Sequence, residues 1–146
     1  MKIAIACDHG AFELKNILYA YLTEQGHTVT DFGTYSQDSC DYPDFAVAAA
    51  KAVANGDCQR GIVLCYTGIG ISIAANKVHG IRCALLSDVA SAKLTREHND
   101  TNMMSMGASV VSPELAKQIV DVWLDTEFSG GERHCRRIRK LMDLEK

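Results

Sequence analysis

A chain of 146 residues with 15 basic and 18 acidic side chains and a formal net charge of -3 has room for one domain with a sizeable core, residues 1–146. The acidic balance argues against nucleic acid as the main partner, no apolar run approaches the roughly 18 residues of a membrane helix, and no charged-then-apolar leader precedes the first strand. Six cysteines without a C-x-x-C pair indicate neither zinc nor a disulfide framework, so a cytoplasmic protein acting on a small molecule is expected, with no metal, nucleic acid or membrane.

Lys2 to Cys7, KIAIAC, reads as a central parallel strand, and Asp8-His9-Gly10 ends it, so polar chemistry begins at its carboxyl end. From Ala11 to Gln25, Leu14, Ile17, Leu18, Tyr21 and Leu22 recur at helical spacing before the stop at Gly26. His27 to Phe32 is a second strand and Gly33 to Asp41 a polar loop. Pro43 lies in the first turn of an alanine-rich helix that runs to about Asn55.

Ile62 to Leu64 reads as a third strand buried on both faces, Cys65 to Gly70 as a turn, and Ile71 to Asn76 as a short helix. Ile81 to Leu86 is a fourth strand, and Ser87 or Asp88 caps a helix from Val89 to Glu97, with His98-Asn99-Asp100 at its end. Asn102 to Val111 holds a fifth strand interrupted by Gly107. Ser112-Pro113 opens a helix with a wide apolar stripe, and Gly130-Gly131 precedes a last, basic helix from Glu132 to about Leu144. Arg133 and Arg137, four residues apart, share one face of it.

Strand and helix alternate five times, the pattern of an α/β fold: a single doubly wound, Rossmann-like parallel sheet of five strands with helices on both faces and an extra C-terminal helix. Right-handed crossovers leave few strand orders, and the flavodoxin-like 2-1-3-4-5 is expected. In that order the ends of strands one and three flank the switch point. Asp8-His9 and Cys65 then meet across one crevice.

Cys65 lies beside the first amides of a helix, a setting that can lower a thiol pKa, and Gly68 and Gly70 let a ligand approach the backbone. A base or nucleophile is one reading; a small buried core cysteine in a tight turn is the other. Familiar phosphate motifs do not fit. Gly70 is followed by Ile71-Ser72 rather than the Lys and Ser or Thr of a P-loop, only Gly68-Ile69-Gly70 of a G-x-G-x-x-G is present, and the position of a cysteine phosphatase arginine is Ile71.

CDHGAFELK at Cys7–Lys15, DFGT at Asp31–Thr34, DYPDFA at Asp41–Ala46, GISIAANKVHGIR at Gly70–Arg82, REHNDTN at Arg96–Asn102 and GGERHCRRI at Gly130–Ile138 together give a chain that resembles the ribose-5-phosphate isomerase type B family, which includes the galactose-6-phosphate isomerase subunits. The resemblance implies metal-free, cofactor-free interconversion of ribose 5-phosphate and ribulose 5-phosphate through an enediol, in the non-oxidative pentose phosphate pathway. On that analogy Cys65 is the base, Thr67 moves protons on the hydroxyl oxygens, and the backbone from Gly68 to Gly70 stabilises the enediolate. His98 opens the furanose ring, Asp8 and Asn99 hold sugar hydroxyls, and His9, Arg133 and Arg137 hold the phosphate. The resemblance also implies a homodimer, or a tetramer built from it, with active sites shared between subunits.

Two positions depart from the family's pattern. Tyr66 stands where glycine is common, so that a large side chain lines the pocket, and Ser109 stands where many members carry a phosphate-contacting arginine. These changes keep open a six-carbon aldose phosphate, allose or galactose 6-phosphate, as substrate. A non-catalytic sugar-phosphate sensor is the competing class; Cys65, Thr67, His98 and Asn99 together speak against it.

Overall fold

The first apolar run forms β1 (Lys2–Cys7), and in the computed structural model, which describes residues 1–146, every residue of it beyond Lys2 is buried. A strand buried on both faces belongs in the middle of a sheet. Accordingly β2 (Thr28–Asp31) lies parallel along one side of it and β3 (Arg60–Cys65) along the other. The sheet has five parallel strands, and its order is β2-β1-β3-β5-β4.

The expected 2-1-3-4-5 is therefore corrected at one edge: β5 (Met103–Gly107) pairs with β3, and β4 (Cys83–Leu85) lies outside it. Burial explains the exchange. All five residues of β5 are buried, whereas β4 is three residues long and Leu85 is exposed, so the longer apolar strand takes the inner place.

The exchange also moves a helix. A right-handed crossover from β4 back to β5 runs opposite to the one from β3 to β4, so its helix lands on the other face. That puts α4 (Val89–Asn99) beside α1 (Phe12–Glu24) and α5 (Pro113–Asp125), leaving α2 (Tyr42–Ala54) and α3 (Ile69–Asn76) on the second face. Two cores result. Ile3, Ile5, Leu64 and Met106 meet Leu18, Ile119 and Trp123 on one face, while Ala4, Ala6 and Val63 meet Ala46, Ala49, Ala50 and Ile71 on the other. The alanines let α2 approach the sheet closely. The last helix, α6 (Glu132–Met142), rests mainly on α4.

The loop after β2 is held to α1 by a buried lysine and to β1 by backbone pairing. Lys15, 1% exposed, donates from Nζ to Asp31 Oδ1 at 3.0 Å and to the Thr34 carbonyl. Asp31 Oδ1 also accepts from Gly33 N–H at 2.8 Å, and Gly33 and Thr34 exchange backbone bonds with Cys7. Removing the ammonium leaves Asp31 uncompensated. Lys15→Met is expected to destabilise the fold by about 3 kcal/mol, read from the urea midpoint, and a loss under about 1 kcal/mol would contradict this role for the pair.

Candidate active site

Because β1 and β3 are neighbours in register, with Cys7 opposite Leu64, their carboxyl ends deliver Asp8 and Cys65 to the same edge of the sheet. Asp8 N–H continues the ladder to the Leu64 carbonyl at 3.2 Å. Its buried carboxylate turns back to accept Gly10 N–H at 2.9 Å, capping a 3₁₀ turn at His9–Ala11. His9 Nδ1 accepts the Cys40 N–H at 3.2 Å, which leaves Nε2 as the proton-bearing donor.

Cys65 is 5% exposed, and Gly68 N–H donates to its sulfur at 3.1 Å. Gly68 has φ of 78° and stands at the N-cap of α3, a left-handed conformation that favours glycine. The amide aimed at the sulfur fixes the Cys65 side chain against the N-terminus of α3. Thr67 is exposed, and its Oγ1 accepts Ile69 N–H at 3.3 Å. Two of the amides that the resemblance assigns to an enediolate are thus turned toward the Cys65 and Thr67 side chains. Gly70 faces a residue that sequence reasoning passed over: a Cβ there would lie 2.6 Å from Tyr42 Cζ, so the Tyr42 ring closes that side of the turn. The pairing of a glycine with an aromatic one helix earlier was its only trace in the sequence.

The turn is also pinned from β5. Ala108 N–H donates to the Cys65 carbonyl at 2.9 Å, and Ser109 reaches the Tyr66 carbonyl with both its N–H at 2.9 Å and its Oγ at 2.6 Å. Gly107 packs directly on the Thr67 backbone, with no space for a Cβ. Tyr66 projects outward, 64% exposed, with its Cβ against Gly10, and helps line a cavity of about 320 Å³ with His9, Phe12, Ala108 and Val111. Asp8-His9 and Cys65 stand at neighbouring strand ends, while the cavity itself is lined by His9 and Tyr66 and by neither Asp8 nor Cys65. Ser109 serves the turn's backbone.

The remaining predicted residues are elsewhere. α4 runs antiparallel to the strands, so His98 and Asn99 in its last turn reach the amino edge of the sheet, where Arg82, just before β4, donates to the Asn99 carbonyl at 3.0 Å. There the His98 ring stacks on His134 of α6, with centroids 4.4 Å apart and planes 12° from parallel. His98, Asn99, His134 and Arg137 line one cavity, and Arg133 projects from the same turn of α6. Burial, and then the charges of His98, Arg133 and Arg137, hold the His134 imidazole below the ordinary histidine value. Within one chain, therefore, Asp8, His9, Cys65, Tyr66, Thr67, Gly68 and Gly70 gather at one edge of the sheet, and His98, Asn99, Arg133 and Arg137 at the other.

The fold is that of a doubly wound α/β protein whose polar groups emerge at the β1/β3 switch point, where such sheets bind small ligands. The chain belongs to the ribose/galactose isomerase family, whose sequence model matches residues 3–141, and it is an isomerase. It is 49% identical over 144 residues to the ribose-5-phosphate isomerase B of Escherichia coli, covering 99% of this chain and 96% of that one. The D-erythrulose-4-phosphate isomerase of Pectobacterium atrosepticum is 48% identical over 135 residues, covering 90% and 87%. The solved ribose-5-phosphate isomerase B of Clostridium thermocellum superposes with a TM-score of 0.97 at 50% identity, over 99% of this chain and 97% of that one.

The contact of Gly107 with Thr67 gives a direct test of how the turn is held. Gly107→Ala is expected to push the Cys65–Gly68 turn off β5, lowering stability by about 1–3 kcal/mol in denaturant unfolding and isomerase turnover by more than about tenfold. Wild-type turnover in a folded variant would show that the turn does not depend on this contact.

Proposed function

We propose that this protein interconverts ribose 5-phosphate and ribulose 5-phosphate through an enediol, using a site completed by a second copy of the chain. One observation carries the chemistry: the Cys65 sulfur, at the rigid end of a central strand, accepts an amide hydrogen bond while Asp8 and His9 stand at the neighbouring strand end. The thiolate removes the proton from C2 and returns it to C1. Thr67 relays the proton between the two oxygens, and the amides at Gly68 to Gly70 swing from the Cys65 and Thr67 side chains to the charge that develops on those oxygens. His9 Nε2 donates to the phosphate.

The other residues come from the second copy. Its His98 donates to the ring oxygen as the furanose opens, its Asn99 together with Asp8 orients the hydroxyls, and its Arg133 and Arg137 clamp the phosphate. Support for this homodimer lies in the open edge of β4. Ile69 and Ile73 of α3, Leu85 of β4 and Leu94 of α4 are all exposed around it, at 53%, 57%, 46% and 46%. Isologous contact of such an edge is a common way to bury it. The dimer is the functional unit whether or not it pairs further into a tetramer, and residues 1–146 act as one sugar-phosphate isomerase domain of the cytoplasmic, non-oxidative pentose phosphate route, with neither metal nor cofactor taking part.

A six-carbon aldose 6-phosphate, allose or galactose 6-phosphate, is the second reading. The cavity beside Tyr66 and His9 favours it, since it offers room at the His9 end of the site for a longer substrate.

Ketose formation from ribose 5-phosphate and from allose 6-phosphate, with chelator present, tests both. Fast pentose turnover that falls by about 10²–10⁴-fold in Cys65→Ala is expected for a thiolate base. Preference for the hexose would reassign the substrate and keep the mechanism. Mixing the Cys65→Ala and His98→Asn variants, each inactive alone, should then restore about a quarter of wild-type activity, because half the randomly formed dimers hold one intact site. No recovery after confirmed subunit exchange would place each site within one chain.

A further inference from the structure

Among the ionisable side chains at the amino-edge half of the site, His134 is buried, 9% exposed, and has no role in the chemistry above. Its ring lies flat on His98. Two imidazoles this close do not both carry a proton readily, so their surroundings must decide which one does.

The two rings come from opposite helix ends. His98 is in the last turn of α4, where the unpaired carbonyls of the helix end favour a positive charge. His134 is in the first turn of α6, at the end that disfavours one, with Arg133 beside it and Arg137 a turn further along. The other charges on α4 are engaged: Arg96 pairs with Asp100 at 2.8 Å, and Glu97 lies 3.8 Å from Lys93. The one carboxylate in the first turn of α6, Glu132, is solvent-exposed and bonded to neither ring, so water screens it and the bias stands.

We infer that His134 is a positioning residue for His98: as the neutral member of the stack it holds the plane of the His98 ring and leaves His98 to carry the proton used in opening the sugar. The depressed proton affinity of His134 agrees with this division. The inference rests on the ring-opening role proposed for His98. In that step the C1–O4 bond breaks, its electron pair passes to O4, and O4 takes the proton from His98. The anomeric hydroxyl gives its proton to the Asp8 carboxylate as the C1 carbonyl forms, and exchange with water restores both groups. A π face stacked on the imidazolium favours its charge and limits rotation of the ring.

Two measurements on the intact protein test this. The first is an NMR titration of the imidazole nitrogens of the wild type, in which His98 is expected to protonate before His134 as pH falls; the reverse order would overturn the inference. The second compares ribose 5-phosphate, which is mostly cyclic, with ribulose 5-phosphate, which cannot close to a furanose because its 5-hydroxyl is phosphorylated. His134→Ala is expected to lose about ten- to a hundredfold in ribose 5-phosphate turnover, with a much smaller fall in solvent hydrogen exchange into ribulose 5-phosphate. His134→Phe, which keeps a flat ring, should recover most of the loss.

Equal falls for both substrates would reduce His134 to a packing residue, and a Phe variant as poor as the Ala variant would make it a proton carrier; either overturns the positioning role. Should the wild type fail to turn over ribose 5-phosphate, it is the proposed function that fails. The titration order would still decide for or against the division of the proton within the pair.

Discussion

The in-register pairing of β1 with β3 is the constraint from which the candidate site follows. It sets Cys7 opposite Leu64, so the chain leaves both strands at the same level and Asp8 and Cys65 emerge together. Neither position is free to drift. Asp8 N–H extends the ladder to Leu64, the Gly33–Thr34 segment pairs with Cys7 under the hold of Lys15, and β5 grips the Cys65 turn through Ala108, Ser109 and the Gly107–Thr67 contact. The proton abstraction proposed for Cys65, which tolerates little displacement, is thereby seated on the buried centre of the sheet.

The second consequence of the topology comes from the far side of the sheet. With β5 rather than β4 beside β3, the chain turns back after β4, and α4 descends on the α1/α5 face to end at the amino edge. His98 and Asn99 are then carried away from Cys65 of their own chain. α6, with few partners but α4, brings Arg133, His134 and Arg137 to the same place. A monomer so arranged has two clusters of polar side chains at opposite edges, together with an exposed apolar strip around β4. The proposed dimer answers both features at once.

Much of this was legible in the residues and some was not. The apolar runs at Lys2–Cys7 and Arg60–Cys65 mark buried parallel strands, and Asp8-His9 and Cys65 directly follow or end them, so their meeting could be read from alternation and handedness alone. The order of β4 and β5 could not. Both runs are apolar, and the choice between them depends on how much of each becomes buried, a tertiary quantity that the methionine-rich β5 wins by packing on both faces. Tyr42 escaped notice because its role is contact with Gly70, across more than a full helix of sequence. His134 was legible only as a histidine at an element end, like His9 and His98; its burial was not, because only the crossing of α6 over α4 turns it inward onto His98.

The division of labour between the halves has a physical logic. The groups proposed to change protonation, Cys65 and Thr67, sit where backbone hydrogen bonds leave little freedom, while the guanidinium groups assigned to the phosphate ride on a helix with few contacts. A phosphate remote from the reacting carbons is gripped alike in ground state and transition state, so its clamp needs charge more than exact placement. His98 is the exception on that side, because a proton donor must be aimed. The stack with His134 supplies to a loosely packed helix end the orientation that the sheet supplies to Cys65, and it joins α6 to α4 at the point where the substrate's ring would lie.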